Sequence, residues 1–168
     1  MTEKVEEHAA DGAARDGFLL DQDLLLALPA RLNRIHGIIL QQLDVPLTFR
    51  QYRTISRVAS GYTSMSELAA RANLTMAAVS EGVYTLVKRG FLSAVPGVED
   101  RRTVVLKATQ EGIDAVNAGT QALQKFWSFL LEDIGESERE ALFGVLERLY
   151  WRATEFYSGE ANEKKGGE

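Results

Sequence analysis

Apolar residues recur at steps of three and four through Leu24, Leu28, Leu32, Ile35 and Ile39, the stripe of an amphipathic helix running from about 18 to 43 and ended by Pro46. Thr48-Phe49-Arg50-Gln51 follows, a T-x-x-Q capping box that satisfies free amide donors at a helix start. It predicts a short helix over 48–59 with Tyr52, Ile55 and Ala59 inward, closed by Gly61. A second box, Ser64-Met65-Ser66-Glu67, opens a helix of about two turns with Met65, Leu68, Ala69 and Ala72 inward, running as far as Asn73. Thr75 then serves as N-cap for a helix over 75–89, whose apolar stripe is Met76, Val79, Val83, Leu86 and Val87 and whose left-handed terminator is Gly90.

After Gly90 the pattern changes. Phe91-Leu92-Ser93-Ala94-Val95 and Thr103-Val104-Val105-Leu106 are β-prone, and the turn formers between them predict a hairpin, the only sheet expected. Thr109 caps a long helix with Ile113, Val116, Leu123, Phe126, Trp127, Leu130 and Ile134 at helical spacing, ended near Gly135. A third box, Ser137-Glu138-Arg139-Glu140, opens a last helix along Leu142, Val145, Leu146, Leu149, Ala153 and Phe156. The expected architecture is mainly α with a small β-hairpin wing: a winged helix-turn-helix over 48–108, flanked by long helices in 18–47 and 109–157.

The 168 residues, 45% apolar and 26% charged, suit one folded domain over 18–157, with the aperiodic segments 1–17 and 158–168 expected as flexible tails. No window approaches the roughly 18 apolar residues of a membrane span, and the first residues are acidic where a signal peptide is basic and then apolar, so a cytoplasmic protein without a membrane partner is expected. The absence of cysteine excludes thiol catalysis and Cys-ligated zinc, and two histidines, His8 and His36, leave little for a metal site, so neither metal nor cofactor is expected. Net charge is −5, which as a total speaks against a nucleic-acid partner. Its distribution reverses that. Residues 48–108 carry nine basic and four acidic side chains, a local +5 set in a remainder of −10, and the local field is what a polyanion meets.

A helix-turn-helix acts mechanically, its second helix entering the major groove of double-stranded DNA. Projection of 75–89 places Ala77, Ala78, Glu81, Thr85 and Lys88 opposite the apolar stripe, with Ser80 and Tyr84 at its flanks and Thr75 at its start. Arg50, Arg53 and Arg57 share the face of helix 48–59 away from Tyr52 and Ile55, suited to phosphate or simply to solvent; Lys88 and Arg89 suit phosphate or the helix dipole. Glu81 has two opposed readings: its carboxylate accepts from cytosine N4, or it is repelled by phosphate and weakens binding. Gly82 lowers helix propensity by up to about 1 kcal/mol.

At this point the chain resembles the MarR (multiple antibiotic resistance regulator) family of bacterial transcription factors, over roughly 18–157. The resemblance rests on the helix order and on three strings: Met65-Ser66-Glu67-Leu68-Ala69, Leu86-Val87-Lys88-Arg89-Gly90-Phe91-Leu92, and the more specific Glu99-Asp100-Arg101-Arg102-Thr103-Val104-Val105-Leu106, followed by Thr109 and Gly112. It implies that Arg102 enters the minor groove, that Asp100 holds arginine in place and that Arg101 is a second cation, which agrees with the preference of a guanidinium for a narrow, electronegative groove. It further implies a homodimer interlocked through the N- and C-terminal helices, a pseudo-palindromic operator, and a repressor released by a small aromatic acid or phenolic ligand. Candidate walls for that ligand are His36, Tyr52 and Trp127, residues equally suited to ordinary packing. Without cysteine, thiol-oxidation sensing falls outside what the resemblance implies.

Two other classes compete. For an enzyme the chain lacks a G-x-S-x-G elbow, a phosphate-binding glycine loop and a paired-histidine motif, so none is expected. The alternative that Glu81 and the acidic total favour is a winged-helix protein-interaction module with weak or lost DNA binding.

Overall fold

The computed structural model describes residues 21–96 and 104–158. Its elements run α1 (Asp21–Gln41), α2 (Phe49–Ala59), α3 (Met65–Ala72), α4 (Met76–Lys88), β1 (Leu92–Pro96), β2 (Val104–Ala108), α5 (Gln110–Leu130) and α6 (Glu136–Ser158). This is the expected winged helix-turn-helix between long helices. The expected tails at 1–17 and 158–168 lie outside the described residues except for Ser158, which ends α6.

Local chemistry sets most of the boundaries. In the α2 box the Thr48 hydroxyl accepts from the Gln51 amide at 3.1 Å while the Gln51 side chain accepts from the Thr48 amide at 3.0 Å. The α3 box repeats the pattern, with 3.1 Å from Glu67 N–H to Ser64 Oγ and 3.0 Å from Ser64 N–H to Glu67 Oε2. Thr75 and Thr109 accept from the amides of Ala78 and Gly112. Gly90 ends α4 with φ +79°, a conformation that a side chain would strain.

The third box departs from expectation. The last helix begins at Glu136, so Ser137 lies inside its first turn, and Glu138 reaches back to the Gly135 amide at 3.1 Å. The preceding helix also stops at Leu130, short of 134, because Arg139 folds back over its end. That guanidinium donates to the carbonyls of Leu131 at 2.6 Å and Ile134 at 2.7 Å, capping orphan acceptors that a longer helix would have used itself.

β1 and β2 form an antiparallel hairpin in the register Leu92↔Ala108, Ala94↔Leu106 and Pro96↔Val104, shifted slightly toward the C-terminus of the expected runs. The Leu106 amide also donates to Thr63 O at 2.8 Å, tying the link between α2 and α3 to the wing. The core lies under this lobe: Leu40, Leu47, Ile55, Leu68, Val79, Val83, Leu86, Leu92 and Leu106 are buried, closed off by Ala115 and Leu123 of α5.

Several inward assignments shift by one position. Leu40, fully buried, takes the place expected for the Leu24–Ile39 stripe, of which Leu24 and Leu28 are exposed. Helix α1 also carries Pro29 within it, removing one backbone donor. Val58 is buried where Ala59 was expected, and Met76 is 53% exposed because it stands in the first turn of α4, beyond the cover of α3. On α6 the whole expected stripe of Leu142, Val145, Leu146, Leu149 and Phe156 is exposed.

Helix α5 meets the lobe through two small residues. A Cβ on Gly112 would overlap the Phe91 carbonyl oxygen, and one on Gly119 would stand 2.8 Å from Leu40 Cδ2 and 3.1 Å from the Tyr52 ring. Gly82, in mid-α4, has nothing within 4 Å of its missing Cβ. Gly112→Ala is therefore expected to lower unfolding stability by about 2–3 kcal/mol, whereas Gly82→Ala raises it by up to about 1 kcal/mol, as read by urea denaturation.

Candidate nucleic-acid interface

Asn73 adopts a left-handed conformation, φ +50°, and turns the chain between α3 and α4 so that Leu68 and Ala69 share a core with Val79 and Val83. The opposite face of α4 is consequently outward. Ala77, Ser80, Glu81, Tyr84, Thr85 and Lys88 are exposed on it, and so is Thr75 at its cap. Ala78 departs from the expected set: it is half-buried, turned into a small cleft shared with Arg50, Thr54, Arg57 and Leu74. The Thr85 hydroxyl donates to the Glu81 carbonyl at 3.0 Å.

Cations border this face. Arg50 and Arg53 are exposed, Arg53 lying 5.7 Å from the Phe49 ring centroid. Arg57 is half-buried and donates to Arg71 O at 3.3 Å; burial first, then the charges of Arg53 and Arg71, lower its pKa from the ordinary arginine value. Arg71, which the sequence patterns did not single out, stacks 5.2 Å from the Tyr62 ring. Its signal was available in its place in the last turn of α3, adjoining the helix-turn-helix. Among the described residues these four guanidiniums have no carboxylate partner.

Arg89 belongs elsewhere. It donates to Gln51 Oε1 at 2.9 Å and to Pro46 O at 2.7 Å, and its guanidinium lies 4.6 Å from the Phe91 ring. It pins the start of α2 to the end of α4 while remaining exposed, a structural role beside the phosphate and helix-dipole readings. Lys88, one residue earlier, is exposed. Asp100, Arg101 and Arg102 lie in the link between β1 and β2, outside the described residues.

The three residues considered for a ligand come together around two aromatic neighbours. His36 lies 5.3 Å from the Phe49 ring, 5.8 Å from Phe126 and 5.8 Å from Trp127, and Tyr52 stacks on Phe49 at 6.3 Å. The Tyr52 hydroxyl is engaged with Thr120 Oγ1 at 2.9 Å. His36 Nε2, by contrast, is buried without a hydrogen-bond partner. The sequence had no reason to choose Phe49, whose place inside the capping box disguised its inward direction. Among the described residues no group of three or more His, Cys, Asp or Glu is placed to hold a metal ion, and no helix is long and apolar enough to cross a membrane.

No family model matches the chain. It is 27% identical to the HTH-type transcriptional regulator YdgJ of Bacillus subtilis over 86 residues, 51% of this chain and only 52% of that protein. With the HTH-type transcriptional regulator YhbI of the same organism it shares 26% identity over 145 residues, 86% of this chain and 90% of YhbI. Among solved structures, FabT of Streptococcus pneumoniae in complex with DNA superposes with a TM-score of 0.72 at 17% identity, covering 80% of this chain and 96% of FabT. The reduced form of MarR from E. coli gives 0.67 at 20% identity, covering 80% and 98%. The fold is thus a winged helix-turn-helix carried between long helices. More narrowly, it is the MarR-type winged-helix fold.

Burial lowers the His36 pKa. A lowered folded-state value means that the unfolded chain binds more protons below about pH 6.5, so stability falls on acidification from there until the folded imidazole itself is protonated. Between about pH 7.5 and 5.5 the melting temperature of the native chain is expected to drop further than that of His36→Leu. Equal drops in the two proteins would contradict this assignment.

Proposed function

We propose that this chain is a sequence-specific DNA-binding transcriptional regulator of the MarR kind, acting in the cytoplasm as a homodimeric repressor. The observation that carries the reading is the outward face of α4, bordered by Arg50, Arg53, Arg57 and Arg71, whose charges have no carboxylate partner among the described residues. A polyanion is the complement of that field, and a helix of this diameter fits the major groove. The names of YdgJ and YhbI and the DNA bound to FabT support the same reading. Arg102 and Asp100 would serve the wing, the former in the minor groove.

A homodimer is supported by the exposed apolar side chains of α1 and α6, among them Leu24, Leu28, Leu142, Leu149 and Phe156, which a second copy would cover. Two lobes related by a two-fold axis read a pseudo-palindromic operator. The cluster of His36, Phe49, Phe126 and Trp127, with one unpartnered ring nitrogen, supports release by a small aromatic acid or phenolic ligand.

A shift assay on the DNA flanking the chain's own reading frame tests this. A specific complex is expected, with log affinity falling linearly in log salt; Arg50→Ala shallows that slope by about 0.9, and Arg102→Ala weakens the complex at least about tenfold. No complex at any salt would favour the protein-interaction module instead. In light scattering the expected mass is twice the 18.6 kDa of one chain. A panel of benzoic and phenolic acids should contain one that raises the melting temperature and dissociates the DNA together.

A further inference from the structure

Glu81 stands nearly opposite the buried Val79, Val83 and Leu86, at the centre of the outward face of α4, exposed, its carboxylate without a hydrogen bond or ion pair among the described residues. Its neighbours one turn either way are short: Ala77 before it and Thr85 after it. The Thr85 hydroxyl proton is already donated to the Glu81 carbonyl, so towards a ligand that oxygen only accepts. Immediately around Glu81 the face therefore presents acceptors and methyl groups, with the exposed Tyr84 at its flank and the cation on the same line, Lys88, two turns further on.

That inventory has a definite complement in DNA. In the major groove guanine offers two acceptors and thymine O4 one, and each repels a carboxylate. Adenine offers its N6 donor beside the N7 acceptor, which opposes the second carboxylate oxygen. Cytosine offers the N4 donor beside an unopposed ring C–H. Placement matters as much as chemistry, since phosphates line the two walls of a groove about 12 Å wide, and a side chain at the centre of an inserted helix points at the floor, away from both. Short residues on either side let the helix backbone approach that floor.

We propose that Glu81 is a specificity-determining residue that selects a cytosine in each operator half-site by accepting from its N4 amino group. The assignment rests on the DNA-binding reading above and resolves the two opposed roles left open for this carboxylate.

The test is selection from a randomised double-stranded DNA library by the full-length native chain, Glu81→Gln and Glu81→Ala, followed by titration of the enriched sites. The native chain is expected to enrich one invariant C·G pair per half-site and to lose about tenfold in affinity when that pair is replaced. Glu81→Gln should prefer A·T there, since a carboxamide pairs with adenine N6 and N7, and Glu81→Ala should leave the position degenerate. Enrichment of one and the same base by all three proteins would overturn the assignment while leaving DNA binding intact. So would an Ala variant that binds every sequence more tightly with unchanged preference, because Glu81 would then act only through phosphate repulsion. Failure of all three to enrich any sequence, together with no salt-dependent binding, would overturn the regulator reading and this assignment with it.

Discussion

The winged lobe is joined to the long helix α5 by a backbone approach that only a residue without a Cβ permits. At Gly112 the helix lies against the Phe91 carbonyl, which also accepts from the Thr109 amide at 3.1 Å, while the Thr109 hydroxyl donates to Gly90 O at 2.6 Å. Two turns further on, Gly119 admits Leu40 and the Tyr52 ring, and Tyr52 is bonded to Thr120 on the same helix. The end of the recognition helix, the start of the wing and the second helix of the lobe are thereby fixed to one rod. Packing this close leaves little slack between the lobe and α5.

Electrostatics divides along the same joint. The lobe over 48–108 carries +5 and the rest of the chain −10, so the part proposed to meet a polyanion is opposite in sign to the scaffold holding it. Within the lobe the cations have separate duties. Arg89 bonds Gln51 and Pro46 and stacks on the Phe91 ring, and Arg57 reaches Arg71 O, whereas Arg50, Arg53, Lys88 and Lys107 are exposed without such a contact to a backbone carbonyl among the described residues. In the proposed complex specificity and charge would thus be largely separated: the cations sit on α2, at the end of α3 and at the end of α4, and the surroundings of Glu81 on α4 are acceptor and methyl.

How far the sequence reveals this depends on the range of each interaction. The boxes at Thr48–Gln51 and Ser64–Glu67, the caps Thr75 and Thr109 and the glycine at 90 are local, spanning a few residues, and each was legible as it stands. Burial was less so, because the helical stripe is wider than the set of positions a neighbour covers. Leu40 rather than Ile39 is enclosed because Gly119, 79 positions away, leaves room for it. Arg139 and Arg89 were opaque for the same reason, since both are defined by carbonyls contributed from another element. The third S-x-x-E string is the converse case: a valid local signal displaced by two residues because Glu138 found an earlier amide.

The aromatic cluster sits where these constraints meet, with His36 from α1, Phe49 and Tyr52 from the start of α2, and Phe126 and Trp127 from α5. Gly119 of α5 holds both neighbours close, with Leu40 of α1 at 2.8 Å and the Tyr52 ring of α2 at 3.1 Å from its Cβ position, and the Tyr52 hydroxyl adds its hydrogen bond with Thr120, whereas the imidazole that α1 brings to the cluster has an unsatisfied Nε2. His36 Nε2 is therefore the atom through which a ligand here would gain a hydrogen bond without breaking one. In the proposed dimer α1 also belongs to the subunit interface, so a ligand in this cluster would lie against the element that sets how the two lobes are held apart.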